Sequence, residues 1–238
     1  MIRLAAVGDL HMRPAVQGRF KPAFARLSED ADLLLLAGDL TNGGTLAEAE
    51  LLRDEVANLG LPVVAVLGNH DHDEGHGDRI TEVLRELGVR VLDGDTVTIE
   101  IAGRRVGVAG VMGGGGGFPN LGAPPNGMDP ERLSQGPRDA ERLLSALSTL
   151  STLDCDVRIA LTHFAPVPDT LAGEPLEIYA GLGCHELGAA VDAGDAALTI
   201  HGHAHSGTEF GRTVEGRPVR NVAYPVLRRP YTVYDLDG

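Results

Sequence analysis

Short apolar runs recur along the first part of the chain, and segments with helical spacing separate them. Residues 2–7 (IRLAAV) read as a strand and 20–27 as a helix; 32–37 (DLLLLA) is a continuous apolar run of buried-strand length. Residues 46–59 place Leu51, Leu52, Val56 and Leu59 on one helical face, with Thr45 and Glu48 as a capping box and Gly60 as a stop. Residues 61–67 return to strand and 79–87 to helix, capped by Gly88. This β-α-β-α-β rhythm predicts an α/β fold with parallel strands and crossover helices.

The pattern then changes. Residues 97–101 and 105–111 flank a turn at Gly103 and read as antiparallel strands. Gly and Pro dominate 112–137, which reads as a functional loop. A helix is expected over 139–153, a strand over 157–162, irregular chain over 166–184, a short helix over 185–193 and a strand over 196–201. Residues 208–236 hold β-like runs with turns at Glu215-Gly216 and Arg229-Pro230, suited to completing a sheet or mediating a dimer. With no internal repeat and no linker, residues 1–238 read as one domain.

Composition narrows the function classes. The 238 residues are 43% hydrophobic and 23% charged, as in globular proteins. Aromatics make up 4% and Trp is absent, so the core must come from Leu, Val, Ile and Ala. A net charge of −14 disfavours a nucleic acid or an anionic membrane as partner. A small phosphorylated substrate stays open, because bound cations invert the local field. Cys155 and Cys184 belong to no CxxC phrase and read as buried or free thiols. The N-terminal run is too short and too uncharged for a secretory signal, and no apolar stretch approaches membrane-spanning length. A cytoplasmic location is therefore expected.

Five apolar segments each end in a potential metal ligand. The phrases are Asp9-Leu10-His11, Gly38-Asp39, Gly68-Asn69-His70-Asp71, Thr162-His163 and His201-Gly202-His203-Ala204-His205. A pair of divalent ions about 3.5–4 Å apart clamps a phosphoryl group. Such a pair calls for a bridging carboxylate, and for neutral imidazoles that limit the negative charge. Asp9, His11, Asp39, Asn69, His163, His203 and His205 supply that mixture, which suits Mn, Fe, Zn or Ni better than Mg or Ca. If strand geometry continues past the strand ends, Asp9 and His11 share one side, as do His203 and His205. A lone DxH or HxH is weak evidence; the ordered set is strong. His72 and His76 lie in an acidic, Gly-rich stretch and read as solvated, with His72 open to substrate contact. His201 reads as core or support, His185 as a non-ligand, Arg228 and Arg229 as surface in preference to phosphate contacts, and Gly113 to Gly117 as a mobile access loop in preference to a phosphate cradle.

In this order the blocks resemble the calcineurin-like metallophosphoesterases, whose signature is D-x-H, G-D, G-N-H-[DE], a lone His and G-H-x-H. The resemblance runs from Asp9 to His205, nearly the whole chain. It implies a four-layer α/β/β/α sandwich with a dinuclear metal site at the C-terminal ends of the central strands. It also implies that Asp9, His11 and His205 hold one ion, Asn69, His163 and His203 the other, and that Asp39 bridges them. His70 matches the family's catalytic, non-ligand His, with Asp71 orienting it. The implied activity is phosphoester hydrolysis by a metal-bridging hydroxide with His70 assisting. Chain size and the GNHD form resemble the bacterial cyclic-nucleotide-type members, which favours phosphodiesters. The alternatives are a phosphomonoesterase or nucleotidase on the same site, or a non-catalytic binding scaffold, against which the complete motif set argues. The stretch before Cys184, with Glu174 to Tyr179, is expected to overhang the site.

Overall fold

The computed structural model describes residues 1–121 and 130–236. Strand β1 (Ile2–Val7) sends Ile2, Leu4 and Ala6 into one apolar core and Ala5 and Val7 into another. Strand β2 (Leu33–Ala37) likewise divides Leu33, Leu35 and Ala37 from Leu34 and Leu36. Side chains alternate across a strand, so a strand covered on both faces must be apolar throughout. This accounts for the DLLLLA run; each fully buried leucine there contributes about 1.5–3 kcal/mol.

Strands β3 (Val63–Val66) and β4 (Arg90–Val91) extend β1 and β2 in parallel. Helices α1 (Lys21–Phe24), α2 (Leu27–Asp30), α3 (Leu46–Val56) and α4 (Gly77–Glu86) accompany this sheet. Phe24, Leu27, Leu52, Ile80 and Leu84 from these helices cover its outer face. The capping box holds: Glu48 N–H donates to Thr45 Oγ1, and the Glu48 carboxylate accepts from Thr45 N–H. Two expected helices are shorter than their patterns. The 20–27 pattern splits into α1 and α2, and α3 stops at Val56 because Ala57 leaves helical geometry.

The second half builds a second sheet. It comprises β5 (Asp95–Ile101), β6 (Arg104–Gly110), β7 (Val157–Leu161), β8 (Leu198–His201), β9 (Phe210–Arg212) and β10 (Pro218–Asn221), in the order β5-β6-β7-β8-β10-β9. Its inner face meets the first sheet through Val106, Val108, Ile159, Leu161 and Ile200. Its outer face is covered by α5 (Pro130–Thr152) and α7 (His185–Ala193), through Leu143, Leu147, Leu187 and Val191. The short helix α6 (Tyr179–Leu182) and two 3-10 turns lie within the stretch expected to be irregular. After α8 (Tyr224–Leu227), strand β11 (Thr232–Leu236) pairs antiparallel with β1, Ile2 opposite Leu236. The tail thus completes the first sheet. The layers are those of the expected α/β/β/α sandwich, and among the described residues no helix is long and apolar enough to cross a membrane.

The expected 112–137 loop needs correction, apart from its 122–129 portion, which lies outside the described residues. Helix α5 begins at Pro130 and carries Pro137 inside it. Proline removes one helical hydrogen bond, which is why the sequence pattern places the start at Asp139. Packing overrides that preference. Gly136 lies so close to the Gly115 carbonyl and to Cys184 Sγ that no Cβ fits. Gly114 and Gly115 line a cavity that also holds Asn69 and His203, and backbone hydrogen bonds tie this glycine run to its surroundings. The N–H of Gly113 donates to Asp139 Oδ2 at 3.0 Å, that of Gly116 to the Ala180 carbonyl and that of Gly117 to the Gly183 carbonyl.

Candidate metal centre

Every candidate ligand follows the C-terminal end of a parallel strand: Asp9 and His11 after β1, Asp39 after β2, Asn69 after β3, His163 after β7, and His203 and His205 after β8. In open α/β sheets this edge is where ligands bind. The loops are laced together by the backbone. Asp9 N–H donates to the Gly38 carbonyl (2.9 Å), His11 N–H to that of Asp39 (3.0 Å), and Gly202 N–H to that of His163 (3.1 Å).

Strand geometry does not continue into the motifs, contrary to the sequence expectation. Asp9, His11, Asp39 and His203 all have left-handed backbone, with φ of 56°, 44°, 49° and 68°. Residues with a Cβ rarely sit there, and such conformations cost on the order of 1–3 kcal/mol each. The turns are held because the chains approach closely: a Cβ on Gly68 would collide with Asp39, and one on Gly202 with the Asp9 carboxylate. As a result His203 and His205 serve different clusters instead of sharing one side.

Two groups of donors result, and they share Asp39. The ligand atoms of Asp9, His11, Asp39 and His205 lie within 4.8 Å of one another, and so do those of Asp39, His163 and His203. In the first group His205 Nε2 is 2.8 Å from Asp9 Oδ1, and His11 Nε2 is 3.9 Å from Asp39 Oδ2. In the second, His163 Nε2 is 3.3 Å from Asp39 Oδ1, 3.2 Å from Asn69 Oδ1 and 3.1 Å from His203 Nδ1. His163 Nδ1 faces the Ala37 carbonyl at 2.9 Å, which fixes the tautomer and leaves Nε2 for the site. The Asp9 carboxylate also accepts the His203 N–H, and Asp39 the His70 N–H.

Asp9 and Asp39 are 1% exposed and His163 is fully buried. Burial opposes charge on both Asp39 and His163. Their mutual attraction outweighs it, keeping the Asp39 carboxyl well below its ordinary range and raising His163 to about 9. Burial pushes His11 and His203 downward, while the hydrogen bond to Asp9 raises His205. Buried carboxylates need compensating positive charge, and a mixed imidazole, carboxylate and amide-oxygen set facing inward matches divalent cations. The donor set therefore fits the ion pair that the sequence implies.

His70 and Asp71 part company here. The Asp71 carboxylate is fully buried and accepts four hydrogen bonds: Gly68 N–H (2.8 Å), Leu40 N–H (3.2 Å), Thr41 N–H (2.7 Å) and Thr41 O–H (2.6 Å). It staples the loop after β2 to the loop after β3 and does not orient His70. That contact belongs to Asp73, whose Oδ2 is 2.7 Å from His70 Nδ1. The sequence does not single out Asp73, because it lies in an acidic stretch that reads as solvated. Its signal was the three-residue spacing, one helical turn from His70. The His70 ring is 5.2 Å from that of His11, at an open face of the site.

The other histidines separate clearly. His201 is buried, with Nε2 2.8 Å from Thr170 Oγ1 and Nδ1 2.8 Å from the Gly202 carbonyl, and burial lowers it to about 3. His76 is exposed at the start of α4, and His185 pairs with Glu186 at 3.1 Å. His72 borders a cavity of about 420 Å³ whose wall also holds Asn69, His203, Asp73 and Phe164. Gly181 lines that cavity too, so the stretch before Cys184 does reach the site. Arg229 pairs with Glu209 at the surface.

A family model for calcineurin-like phosphoesterases matches residues 2–207. Over 92 residues, 34% of this chain, the sequence is 39% identical to a Synechococcus sp. protein named "Probable cyclic nucleotide phosphodiesterase". The match spans 34%, about a third, of that relative's length. Among solved structures, TT1561 of Thermus thermophilus is similar with a TM-score of 0.63 at 18% identity, covering 98% of each chain. A "Putative 5'-Nucleotidase" from Staphylococcus aureus gives a TM-score of 0.61 at 18% identity, covering 92% of this chain and 48% of that one. At these identities the structural likenesses concern the fold.

Proposed function

The chain belongs to the calcineurin-like phosphoesterase family, a family of metal-dependent phosphoester hydrolases, and from that premise we propose that it hydrolyses phosphodiesters. Two divalent ions would be held by Asp9, His11, Asp39 and His205 on one side and by Asp39, Asn69, His163 and His203 on the other. One observation carries this reading: two donor groups converge on the single buried carboxylate of Asp39. The donor mixture favours Mn, Fe, Zn or Ni. When bound, such a pair supplies an acidified water and neutralises charge on the phosphoryl oxygens.

The chain's own residues supply the rest. The two oxygens of Asp39 face different groups, Oδ2 towards His11 and Oδ1 towards His163. Asp73 accepts from His70 Nδ1–H and orients the ring, so that Nε2, when it too carries a proton, can give it to the leaving oxygen. The cavity of about 420 Å³ beside Asn69 and His203 receives the substrate. The likeness to the Synechococcus protein makes cyclic nucleotides the first natural diesters to try. Cys155 and Cys184 are free and buried, which supports a reducing, cytoplasmic setting.

The test is turnover of bis-p-nitrophenyl phosphate against p-nitrophenyl phosphate by protein reconstituted with Mn, Fe, Zn or Ni. Faster turnover of the diester supports the reading. Preference for the monoester would make the chain a phosphomonoesterase, and no turnover with two ions bound would make it a binding scaffold.

A further inference from the structure

The cavity beside the ligands is not closed at its far end. His72, Met112 and Gln135 line it and also line a second cavity of about 530 Å³, so the two are lobes of one cleft. The second lobe runs away from the metal ligands, between α4 and α5. Its floor is apolar and buried: Leu67, Val91 and Leu92. Thr81, Asp78 and Arg85 of α4, together with Asp93 and Arg142, carry its polar groups.

We propose that this second lobe binds one arm of a linear phosphodiester, a flat, uncharged, hydrogen-bonding ring of nucleoside type. The chain would then act on two-armed diesters in preference to compact cyclic ones. The inference rests on the phosphodiesterase reading and names its substrate class. Size is the first argument. Small-molecule pockets run about 300–1,000 Å³, so the lobe at the ligands alone holds a compact phosphoester, and the second lobe is surplus to such a substrate. Charge is the second. Asp78, Asp93 and Asp139 face Arg85 and Arg142, and Arg142 is already engaged by Asp139 at 2.8 Å and Asp93 at 2.9 Å. A second phosphate would meet net negative charge. A cationic arm would meet Arg85, whose guanidinium donates to the Val91 carbonyl at 3.2 Å and has no ion-pair partner among the described residues. An apolar floor under a polar rim instead suits a ring with a hydrogen-bonding edge, within reach of the Thr81 hydroxyl and the Gln135 amide.

The experiment compares wild type with Thr81→Trp, which fills the lobe, and Arg85→Ala, which removes a rim donor at an exposed position. The readouts are kcat and KM on adenylyl-3′,5′-adenosine and on 3′,5′-cyclic AMP, and adenosine binding by saturation-transfer NMR. The expected result is a higher kcat/KM for the dinucleotide in wild type. In both variants KM for the dinucleotide rises, tenfold or more for Thr81→Trp, while cyclic AMP kinetics and metal content stay within twofold. Adenosine binding is lost in Thr81→Trp. If both diesters are cleaved but the variants change them equally, or leave adenosine binding untouched, the second-lobe assignment is wrong and the diesterase reading stands. If two ions bind and neither diester is cleaved, the diesterase reading fails and takes this assignment with it.

Discussion

Replacing Asp71 by Asn separates a staple from a catalytic partner. The Asp71 carboxylate accepts four hydrogen bonds in a fully buried setting, three from backbone N–H groups and one from the Thr41 hydroxyl. An amide of the same shape keeps one oxygen and turns an NH2 group towards the donors that faced the other. Two donors lose their acceptor, at about 1–3 kcal/mol each for a buried unsatisfied group. Part of that loss is offset, because burial and the charge of Asp39 already raise the Asp71 carboxyl above its usual range. A net loss of about 2–4 kcal/mol follows. For a chain of this size that lowers the melting temperature by about 4–16 °C. Asp73→Asn is the contrast: Asp73 is 48% exposed on its side chain and serves His70 at one contact. Its stability should change by no more than about 0.5 kcal/mol, while kcat falls about 10–100-fold, as for other carboxylates that orient an imidazole. Thermal unfolding by circular dichroism, metal content and steady-state kinetics on the diester read all three quantities. If Asp71→Asn keeps its melting temperature but loses kcat, and Asp73→Asn loses neither, Asp71 is the orienting carboxylate after all.

The remaining expectations concern the donors. Asp39→Ala should lose both ions, since both groups need that carboxylate; two ions per chain in elemental analysis would refute the shared role. His70→Ala should keep both ions yet lower kcat about 10²–10⁴-fold, and loss of metal would make His70 a ligand. Metal uptake should release a proton at pH 7–8. His163 is held near 9 in the metal-free pair with Asp39, and an imidazole must be neutral to bind a metal. The sign is fixed by the raised value: His163 is protonated below about 9, so apparent affinity rises about tenfold per pH unit up to there and then levels. Titration calorimetry in buffers of differing ionisation enthalpy measures the release, and pH-independent uptake would contradict it.

Much of the site was legible in the sequence because its signals are local. A ligand-type residue directly after a buried strand, repeated five times, locates the edge at which Asp9, Asp39, Asn69, His163 and His203 gather. The strands were legible for the same reason, since a continuous apolar run such as 32–37 reports burial on both faces. Less legible were features set by contacts distant along the chain. The start of α5 was hidden because Gly136 packs on Gly114 and Gly115, an approach that outweighs Pro137.

The sequence by itself determined the chemistry: which residues are offered as ligands, in what order, and the fold class that an alternation of buried strands and amphipathic helices requires. The resemblance also assigned His203 and His205 to different ions; only the tertiary structure decided how the chain holds them apart and which partners the remaining residues meet. Left-handed turns at Asp9, His11, Asp39 and His203 place His203 and His205 in different clusters. The carboxylate for His70 is Asp73, because Leu40 and Thr41, some thirty residues earlier in the chain, claim Asp71. Periodicity and motif order record what one stretch of chain presents to its surroundings. Which donor meets which acceptor depends on where other strands place their ends, and that is settled only when the two sheets pack.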